Sequence, residues 1–255
     1  SIIVNAMSPI TGPNTVCRFD SITLSDATPG GTWSTTSPFM TVSSLGVVTG
    51  VNSGSGLITY TLGTCTALYS VTVNPVDPIV GPDSLCEGDS AVFTNPNPGG
   101  IWTSSDVTVA TIGSTTGLLH TLNSGNVTIT YTLPTGCVVI HDLGINPTPS
   151  PISGPTSVCQ GDSITLVNPD PGGFWTSNNP GVSAIDTSGV LTGVSPGVST
   201  ITYSSYSGCF VIYPDTVHPS TPILGPSRVC VGDSITLSDA TPGGTWSTTS
   251  PFMTV

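Results

Sequence analysis

Seven cysteines carry the clearest capacity for covalent chemistry in this 255-residue sequence, and they fall into two registers. We call the first set the leading cysteines and the second set the trailing cysteines. The leading cysteines are Cys17, Cys86, Cys159 and Cys230, and the trailing cysteines are Cys65, Cys137 and Cys209. Each leading cysteine stands sixteen residues before a tryptophan, and a trailing cysteine follows the first three about fifty residues later. A spacing that recurs in this way marks a tandem repeat.

Paired thiols form either disulfides or metal sites, and the spacing separates the two. Structural zinc sites use closely spaced ligands such as C-x₂-C, and no such cluster occurs here. Two cysteines per repeat favour disulfides and an oxidising compartment. We predict bonds within each repeat, Cys17–Cys65, Cys86–Cys137 and Cys159–Cys209, with Cys230 pairing outside residues 1–255.

All four tryptophans keep the same distance from a leading cysteine. They are Trp33, Trp102, Trp175 and Trp246. Exposed indole rings would be platforms for stacking sugars, whereas buried ones would pack between two sheets near a disulfide. The constant spacing favours the buried position, and we predict that all four are core residues.

Aspartates also recur in register, three residues after each leading cysteine. They are Asp20, Asp89, Asp162 and Asp233. Carboxylates are ligands for calcium, but no D-x-D-x-D-G loop is present. The interpretation we favour is a carboxylate that accepts backbone N–H groups in a turn, with calcium as the alternative. We expect no other cofactor.

The remaining side chains do not form a catalytic set. His120, His141 and His218 fall at three different positions of the repeat, and no acid or serine recurs beside any of them. A Ser-His-Asp arrangement is therefore unsupported, and we expect the chain not to be an enzyme.

Charge excludes two classes of partner. Only Arg18 and Arg228 are cationic, no lysine is present, and the net charge is −12. Such a chain repels nucleic acid and lacks the basic patches that hold proteins on anionic membranes. No apolar run approaches the roughly 18 residues of a transmembrane helix, so none is predicted.

The pattern between the cysteines is typical of strands. Ile22 and Leu24 alternate with polar neighbours, which is the period of a half-buried strand. A Pro-Gly-Gly turn follows at Pro29, and further glycine turns separate later strands. No helical period appears. Six or seven short strands in each repeat of about 70 residues predict an all-β protein of tandem antiparallel sandwiches.

The register sets the expected domains. They are the terminal strand of a preceding repeat at 1–7, repeats at 8–76, 77–148 and 149–220, and the first half of a fourth repeat at 221–255. Residues 20–42 are identical to residues 233–255, three repeats further on. Duplication of a three-repeat block explains this identity, and we expect the sequence to be a window of a longer array.

These motifs resemble a known group. The run from Cys-x-Gly-Asp-Ser through Pro-Gly-Gly-x-Trp to Ile-Thr-Tyr is similar to bacterial Ig-like repeats of the group 2 and PKD-like kinds. The cysteine-bearing variety resembles the tandem repeats of large surface proteins of Bacteroidota, which are often exported by type IX secretion. One departure is Arg18-Phe19, where other repeats have x-Gly. It puts the left-handed turn of the first repeat in question.

The resemblance implies tandem Ig-like sandwiches at the cell surface or outside the cell. It implies a stalk, fibre or filament whose partners are adjacent repeats and other chains of a filament; the alternative is an adhesin that binds a glycan or a host or prey surface. The Asp-Ser-apolar motifs also resemble the O-glycosylation sequon of Bacteroidota. The candidate acceptors are Ser21, Ser90, Ser163 and Ser234.

Overall fold

A computed structural model describes residues 7–240 and 244–255, and the chain divides into two compact units, Ser1–Asn146 and Pro147–Val255. Every regular element in the described residues is a β-strand. The strands fall into three sets of seven, and each set forms a four-stranded and a three-stranded sheet. The prediction of an all-β sandwich protein is confirmed. The predicted repeat boundaries stay predictions, and the terminal strand expected at 1–7 lies almost wholly outside the described residues.

The first unit contains two sandwiches. The first sandwich has sheets ordered β1-β7-β6-β3 and β2-β5-β4. Its strands are β1 (Thr15–Cys17), β2 (Ser21–Thr23), β3 (Thr32–Thr35), β4 (Met40–Val42), β5 (Val47–Gly50), β6 (Gly54–Leu62) and β7 (Cys65–Asn74). The first strand is parallel to the last, and the other pairs are antiparallel. Apart from the first strand, which joins the sheet of the last, the strands divide between the two sheets as they do in an immunoglobulin sandwich.

The second sandwich repeats this order, with sheets β10-β13-β14-β8 and β11-β12-β9. Its strands are β8 (Ser84–Cys86), β9 (Ser90–Val92), β10 (Ile101–Ser104), β11 (Ala110–Ile112), β12 (Leu118–Thr121), β13 (Gly125–Thr132) and β14 (Val138–Asn146).

The second unit contains the third sandwich, with sheets β15-β21-β20-β17 and β16-β19-β18. Its strands are β15 (Ser157–Cys159), β16 (Ser163–Thr165), β17 (Phe174–Ser177), β18 (Ser183–Ile185), β19 (Val190–Gly193), β20 (Gly197–Ser204) and β21 (Phe210–His218). Among the described residues after 218, the backbone forms one isolated bridge, between Leu224 and Ser238.

Alternation along the longest strands builds each core. In β13, Val127, Ile129 and Tyr131 are buried, whereas the threonines between them are partly exposed. The pleat sends these two sets to opposite faces of the sheet. The buried set meets Leu119 and Phe93 in the core of the second sandwich. The polar–apolar period read from the sequence therefore selects the inward face.

The tryptophans line the cores of the three complete sandwiches. Trp102 is 5% exposed, and the partly buried Trp33 and Trp175 pack against the cores of their own sandwiches. Each ring contacts a tyrosine of the neighbouring strand at centroid distances of 4.3 to 4.8 Å. Gly117 packs close to one of these rings, because a Cβ at this position would lie 3.2 Å from Trp102 Nε1 and 2.2 Å from the Phe93 carbonyl oxygen.

Trp246 differs from the other three, because 46% of it is exposed. The core position predicted for it is corrected. Among the described residues after 218 there are no strands that form a second layer over this ring. Ile235 and Leu237 of the same segment are exposed for the same reason.

The tyrosines beside the tryptophans hold the Pro-Gly-Gly turns. The Tyr131 hydroxyl donates to the Asn97 carbonyl at 2.8 Å and accepts from the Gly100 N–H at 2.8 Å. Tyr60 makes the same two bonds in the first sandwich. Tyr203 does so in the third. Each buried ring thus satisfies its own hydroxyl and fixes the turn that precedes the tryptophan strand.

The first repeat keeps its left-handed turn although Phe19 stands where the other repeats have glycine. Phe19 has a φ of 72°, close to the 85° of Gly88 at the same register. The Arg18 guanidinium lies 4.5 Å from the Phe19 ring centroid, and Arg18 Nε donates to the Val51 carbonyl. These contacts offset part of the cost of about 1–2 kcal/mol that a side chain incurs in this conformation.

The disulfides do not lie within the repeats. Cys17 is bonded to Cys137, 120 residues away, and Cys65 and Cys159 are free. Cys86 and Cys209 are disulfide-bonded as well. The three predicted pairs, Cys17–Cys65, Cys86–Cys137 and Cys159–Cys209, are therefore corrected.

Strand length explains the correction. Cys65 begins β7, whereas Cys17 pairs with Asn74 at the other end of β7. Nine residue steps of about 3.3 Å separate the two positions by roughly 30 Å. A disulfide needs Cα atoms no more than about 7 Å apart. The two cysteines of one repeat thus lie at opposite ends of its sandwich.

The core of the third sandwich contains a polar cluster where the other two are apolar. Ser183, Ser199 and Asp215 are all buried, and the Ser183 hydroxyl donates to Asp215 Oδ2 at 2.5 Å. Asp215 Oδ1 and Ser199 Oγ have no hydrogen-bond partner within the described structure. The strand register places Val71 and Leu143 where this sandwich has Asp215. A buried polar group without a partner is costly.

We expect the triple variant Asp215→Leu with Ser199→Val and Ser183→Ala to stabilise the third sandwich by about 1–4 kcal/mol, the range seen when a whole buried polar cluster is replaced by apolar residues. The single variant Ser183→Ala should destabilise it, because Asp215 then loses its hydroxyl donor. Hydrogen–deuterium exchange of β20 and β21 in the full chain measures both effects. Faster exchange in the triple variant would contradict this account of the core.

Candidate functional site: the disulfide-linked junction

The first half of the junction is the end of the first sandwich that carries Cys17. Cys17 is the last residue of β1, and the next backbone N–H, of Arg18, donates to the Asn74 carbonyl at 2.9 Å. The Asp20 N–H then donates to the Cys17 carbonyl at 3.0 Å and closes a tight turn. These bonds fix the Cys17 side chain beside the end of the last strand.

The second half is the hairpin between β13 and β14. The Leu133 N–H donates to the Cys137 carbonyl at 2.8 Å, and the Gly136 N–H donates to the Leu133 carbonyl at 2.9 Å. Gly136 has a φ of 86°, which is the conformation that glycine permits most readily. Cys137 itself is 1% exposed and belongs to the core of the second sandwich.

The bond joins these halves and extends the apolar core across them. The Cα atoms of Cys17 and Cys137 are 5.7 Å apart, within the ordinary range for a disulfide. Cys17 and the linker residue Val76 both pack against the core of the second sandwich. The first sandwich thereby contributes apolar surface to the interior of its neighbour.

Polar side chains fix the linker that enters the second sandwich. Asn95 Nδ2 donates to the Asp77 carbonyl at 2.7 Å, and Asn97 Nδ2 donates to Asp77 Oδ2 at 3.1 Å. In the second unit, Asn168 Nδ2 donates to the Ser150 carbonyl at 2.6 Å in the same way. The second and third sandwiches thus each bind the segment that leads into them.

A shallow hollow of about 310 Å³ lies beside the disulfide. Its walls include Thr15, Asp20 and Asn74 of the first sandwich and Thr135 and Gly136 of the second. The described residues contain no group of three or more histidine, cysteine, aspartate or glutamate side chains placed to hold a metal ion. What the junction offers chemically is the covalent link itself.

The in-register aspartates belong to turns. The backbone N–H groups of Asp20, Asp89, Asp162 and Asp233 each donate to the carbonyl of the leading cysteine three residues earlier. The carboxylate contact that the sequence suggested occurs at Asp89, whose Oδ2 accepts the Cys86 N–H at 2.9 Å.

Two other exposed aspartates, Asp106 and Asp186, accept more hydrogen bonds from their own turns than Asp89 does. The pKa of Asp106 is lowered because its carboxylate accepts the side-chain and backbone donors of Thr108. The pKa of Asp186 is lowered because it accepts the Ser188 hydroxyl and the backbone N–H groups of Val190 and Ser188. In both cases the bonds favour the charged form.

The candidate glycosylation serines lie on exposed strand positions. Ser21, Ser90 and Ser163 begin β2, β9 and β16, and Ser234 is exposed in the fourth repeat. The first three hydroxyls contact the neighbouring strand, at Thr49, His120 and Thr192, over 2.7 to 2.8 Å. Glycosylation of these serines stays a prediction.

The last strands make one contact that the sequence did not reveal. The hydroxyls of Tyr69 and Tyr213 donate to the carbonyls of Gly12 and Gly154 in the opening segments of their repeats. His141 stands at the same position of β14, and its Nε2 donates to the Pro82 carbonyl at 3.0 Å. His141 therefore replaces a structural tyrosine. The shared strand position is a signal that could have shown this.

Comparison with known proteins finds only distant likenesses among solved structures. No family model and no curated protein matches the chain. Among solved structures, the C-terminal 282-residue fragment of intimin, in complex with the intimin-binding domain of its translocated receptor, aligns at 13% identity and a TM-score of 0.42. That alignment covers 59% of this chain and 67% of the fragment.

Invasin, a bacterial integrin-binding protein, aligns at 14% identity with a TM-score of 0.41, over 89% of this chain and 63% of invasin. The S-layer protein SbsC aligns at 14% identity with a TM-score of 0.25, over 86% of this chain and 41% of that one. All three TM-scores lie below 0.5, so these likenesses carry no argument about function. Within residues 7–240 and 244–255, no helix has the length and apolar character needed to span a bilayer.

We expect the double variant Cys17→Ser with Cys137→Ser to loosen the junction. Loop-closure entropy for a loop of about 120 residues gives a loss of up to about 5 kcal/mol. Amide exchange in the hairpin at 133–137 should rise at least tenfold. Cys65→Ser, which removes a thiol that has no bond, is the matched control. Equal exchange in the two variants would contradict a structural role for the bond.

Proposed function

We propose that this chain is a segment of an extracellular bacterial stalk, fibre or filament that transmits tension without lengthening. The observation that supports the proposal is the Cys17–Cys137 bond, which links one sandwich to the next. A bond that closes a single sandwich would protect only that sandwich. A bond between neighbours keeps the two docked, which suits a load-bearing array.

The path of force explains the benefit. Tension that enters the first sandwich at β1 reaches Cys17 after three residues and then passes through the sulfur atoms to Cys137. Residues 18–136 carry no net extension while the bond is intact. Strands β2 to β13 lie within these residues and therefore stay out of the covalent load path. Each repeat otherwise contacts mainly its neighbours, as in other linear repeat proteins.

The chemistry of the chain fits an extracellular location. Four of the cysteines are disulfide-bonded. Disulfides form and persist in oxidising compartments and are rare in the cytosol. The near absence of cations leaves serine, threonine and asparagine to solvate the surface, and the net charge of −12 opposes aggregation between arrays. We place the chain at the bacterial cell surface, and a non-enzymatic role accords with the lack of a catalytic set.

Immunogold electron microscopy of the source bacterium tests the proposal. Antibodies against this chain should label fibres on intact cells, and an in-frame deletion of the three repeats should shorten those fibres. Deletion of a region outside the repeats, matched in length, serves as the control. Label confined to the cell interior would contradict the proposal.

A patch of aromatic rings supports adhesion as a second candidate function. Phe174 and Phe210 flank Ser204 on neighbouring strands of the third sandwich, and both rings are exposed. Tyr206, also exposed, lies beside Gly172 of the adjacent turn. The first sandwich has Thr32 and Thr66 at the positions of the two phenylalanines. Exposed rings beside hydroxyl groups suit stacking on a sugar.

Replacement of both rings tests this candidate. If the patch binds a glycan, Phe174→Thr with Phe210→Thr should weaken binding to a glycan array at least tenfold, because the stacking surface is lost. The control is Ile101→Thr with Val138→Thr, which makes the same change at the equivalent positions of the second sandwich. Unchanged binding by the phenylalanine variant would remove the patch from consideration.

A further inference from the structure

We propose that each leading cysteine bonds only the trailing cysteine of the following repeat, so that successive disulfides overlap along the array. The inference goes beyond the mechanical function and does not depend on it. It makes Cys65 and Cys159 sites of covalent attachment to neighbouring repeats. The partner of each is a cysteine of the other register, at the facing end of another such sandwich.

The first argument is the length of the last strand in every sandwich. The ends of β7, β14 and β21 pair with the leading cysteines Cys17, Cys86 and Cys159. The trailing cysteine begins the same strand or immediately precedes it. Nine residue steps in each sandwich place its two thiols roughly 30 Å apart. Neither can reach the other without dismantling the strand.

The second argument is the placement of each thiol. In all three sandwiches the leading cysteine starts a turn in which an aspartate N–H bonds its carbonyl. The trailing cysteine ends a tight connection that contains Gly63, Gly136 or Gly208, each with a positive φ. The two ends of a sandwich thus differ, and each presents one half of the Cys17–Cys137 junction.

The third argument is the bonding state of all seven cysteines. Cys17 is bonded to Cys137, and Cys86 and Cys209, a leading and a trailing cysteine of consecutive repeats, are both bonded. Cys65, Cys159 and Cys230 are free. The rule assigns these three to counterparts whose positions fall outside residues 1–255. One rule therefore accounts for every cysteine, which pairing within repeats does not.

The bond forms by thiol–disulfide exchange with a disulfide oxidant such as oxidised glutathione. One thiolate attacks the oxidant and releases one reduced thiol, and the second cysteine then displaces the other. Two S–H bonds are lost, one S–S bond is gained in the protein, and the oxidant leaves as two thiols. Cys159 is exposed and Cys65 partly exposed, so both can react.

A bond between repeats has a consequence that a bond within a repeat lacks. The loop closed by Cys17 and Cys137 includes the segment between the first and second sandwiches. A single cut in the backbone between residues 18 and 136 then leaves the chain covalently continuous. The rule thus predicts tolerance to proteolytic nicking as well as to tension.

The test is the variant Cys137→Ser in the full 255-residue chain, folded in a glutathione redox buffer. Free thiols are alkylated, the chain is digested without reduction, and crosslinked peptides are identified by mass. Under the rule, Cys17 becomes alkylated together with Cys65, because Cys17 has lost its one partner. A new Cys17–Cys65 bond would overturn the proposal.

A second variant covers the case in which Cys137→Ser fails to fold. Cys65→Ser removes a thiol that has no bond, so its fold should be retained. The rule predicts that the Cys17–Cys137 bond persists in this variant as in the parent chain. Alkylation of Cys17 in Cys65→Ser would show pairing within the repeat and would overturn the proposal independently.

Discussion

A strand of nine or ten residues separates the two cysteine registers of every sandwich, and the rest of the architecture depends on that separation. The first strand runs parallel to the last and pairs with its end, so the leading cysteine lies at one end of the sandwich. The trailing cysteine lies at the other end. With a thiol at each end, a repeat cannot close on itself, and Cys17 bonds Cys137 of the next sandwich instead.

This arrangement changes what stabilises a small sandwich. A domain of about 70 residues buries limited apolar surface and usually needs a covalent staple. Here the disulfide-linked junction also adds apolar contacts, because Cys17 and Val76 pack against the core of the second sandwich. The first two sandwiches share one covalent and apolar junction.

Much of the fold could be predicted from the sequence because the signals are local. Three signals depend only on residues that are near in sequence: the alternation at Ile22 and Leu24, the Pro-Gly-Gly turns and the constant position of Trp102. Each appears in the structure as a strand, a turn held by a tyrosine, or a core ring. The prediction failed at Trp246, whose burial requires strands that residues 221–255 do not include.

The disulfide pairing could not be predicted because spacing records distance along the chain and not position in the sandwich. A separation of about fifty residues suits a bond within a repeat as well as it suits opposite ends. The deciding fact is the parallel pairing of β1 with the end of β7, and no period-two pattern reports it. The role of His141 was hidden similarly, since its partner is a backbone carbonyl 59 residues away.

The central claim is that the two thiols of one sandwich lie at opposite ends. Anomalous diffraction from sulfur in a crystal of the oxidised chain locates every cysteine directly. The account predicts that the sulfur atoms of Cys17 and Cys65 are separated by roughly 30 Å, while that of Cys17 is bonded to that of Cys137. Sulfur atoms of Cys17 and Cys65 at bonding distance would contradict it.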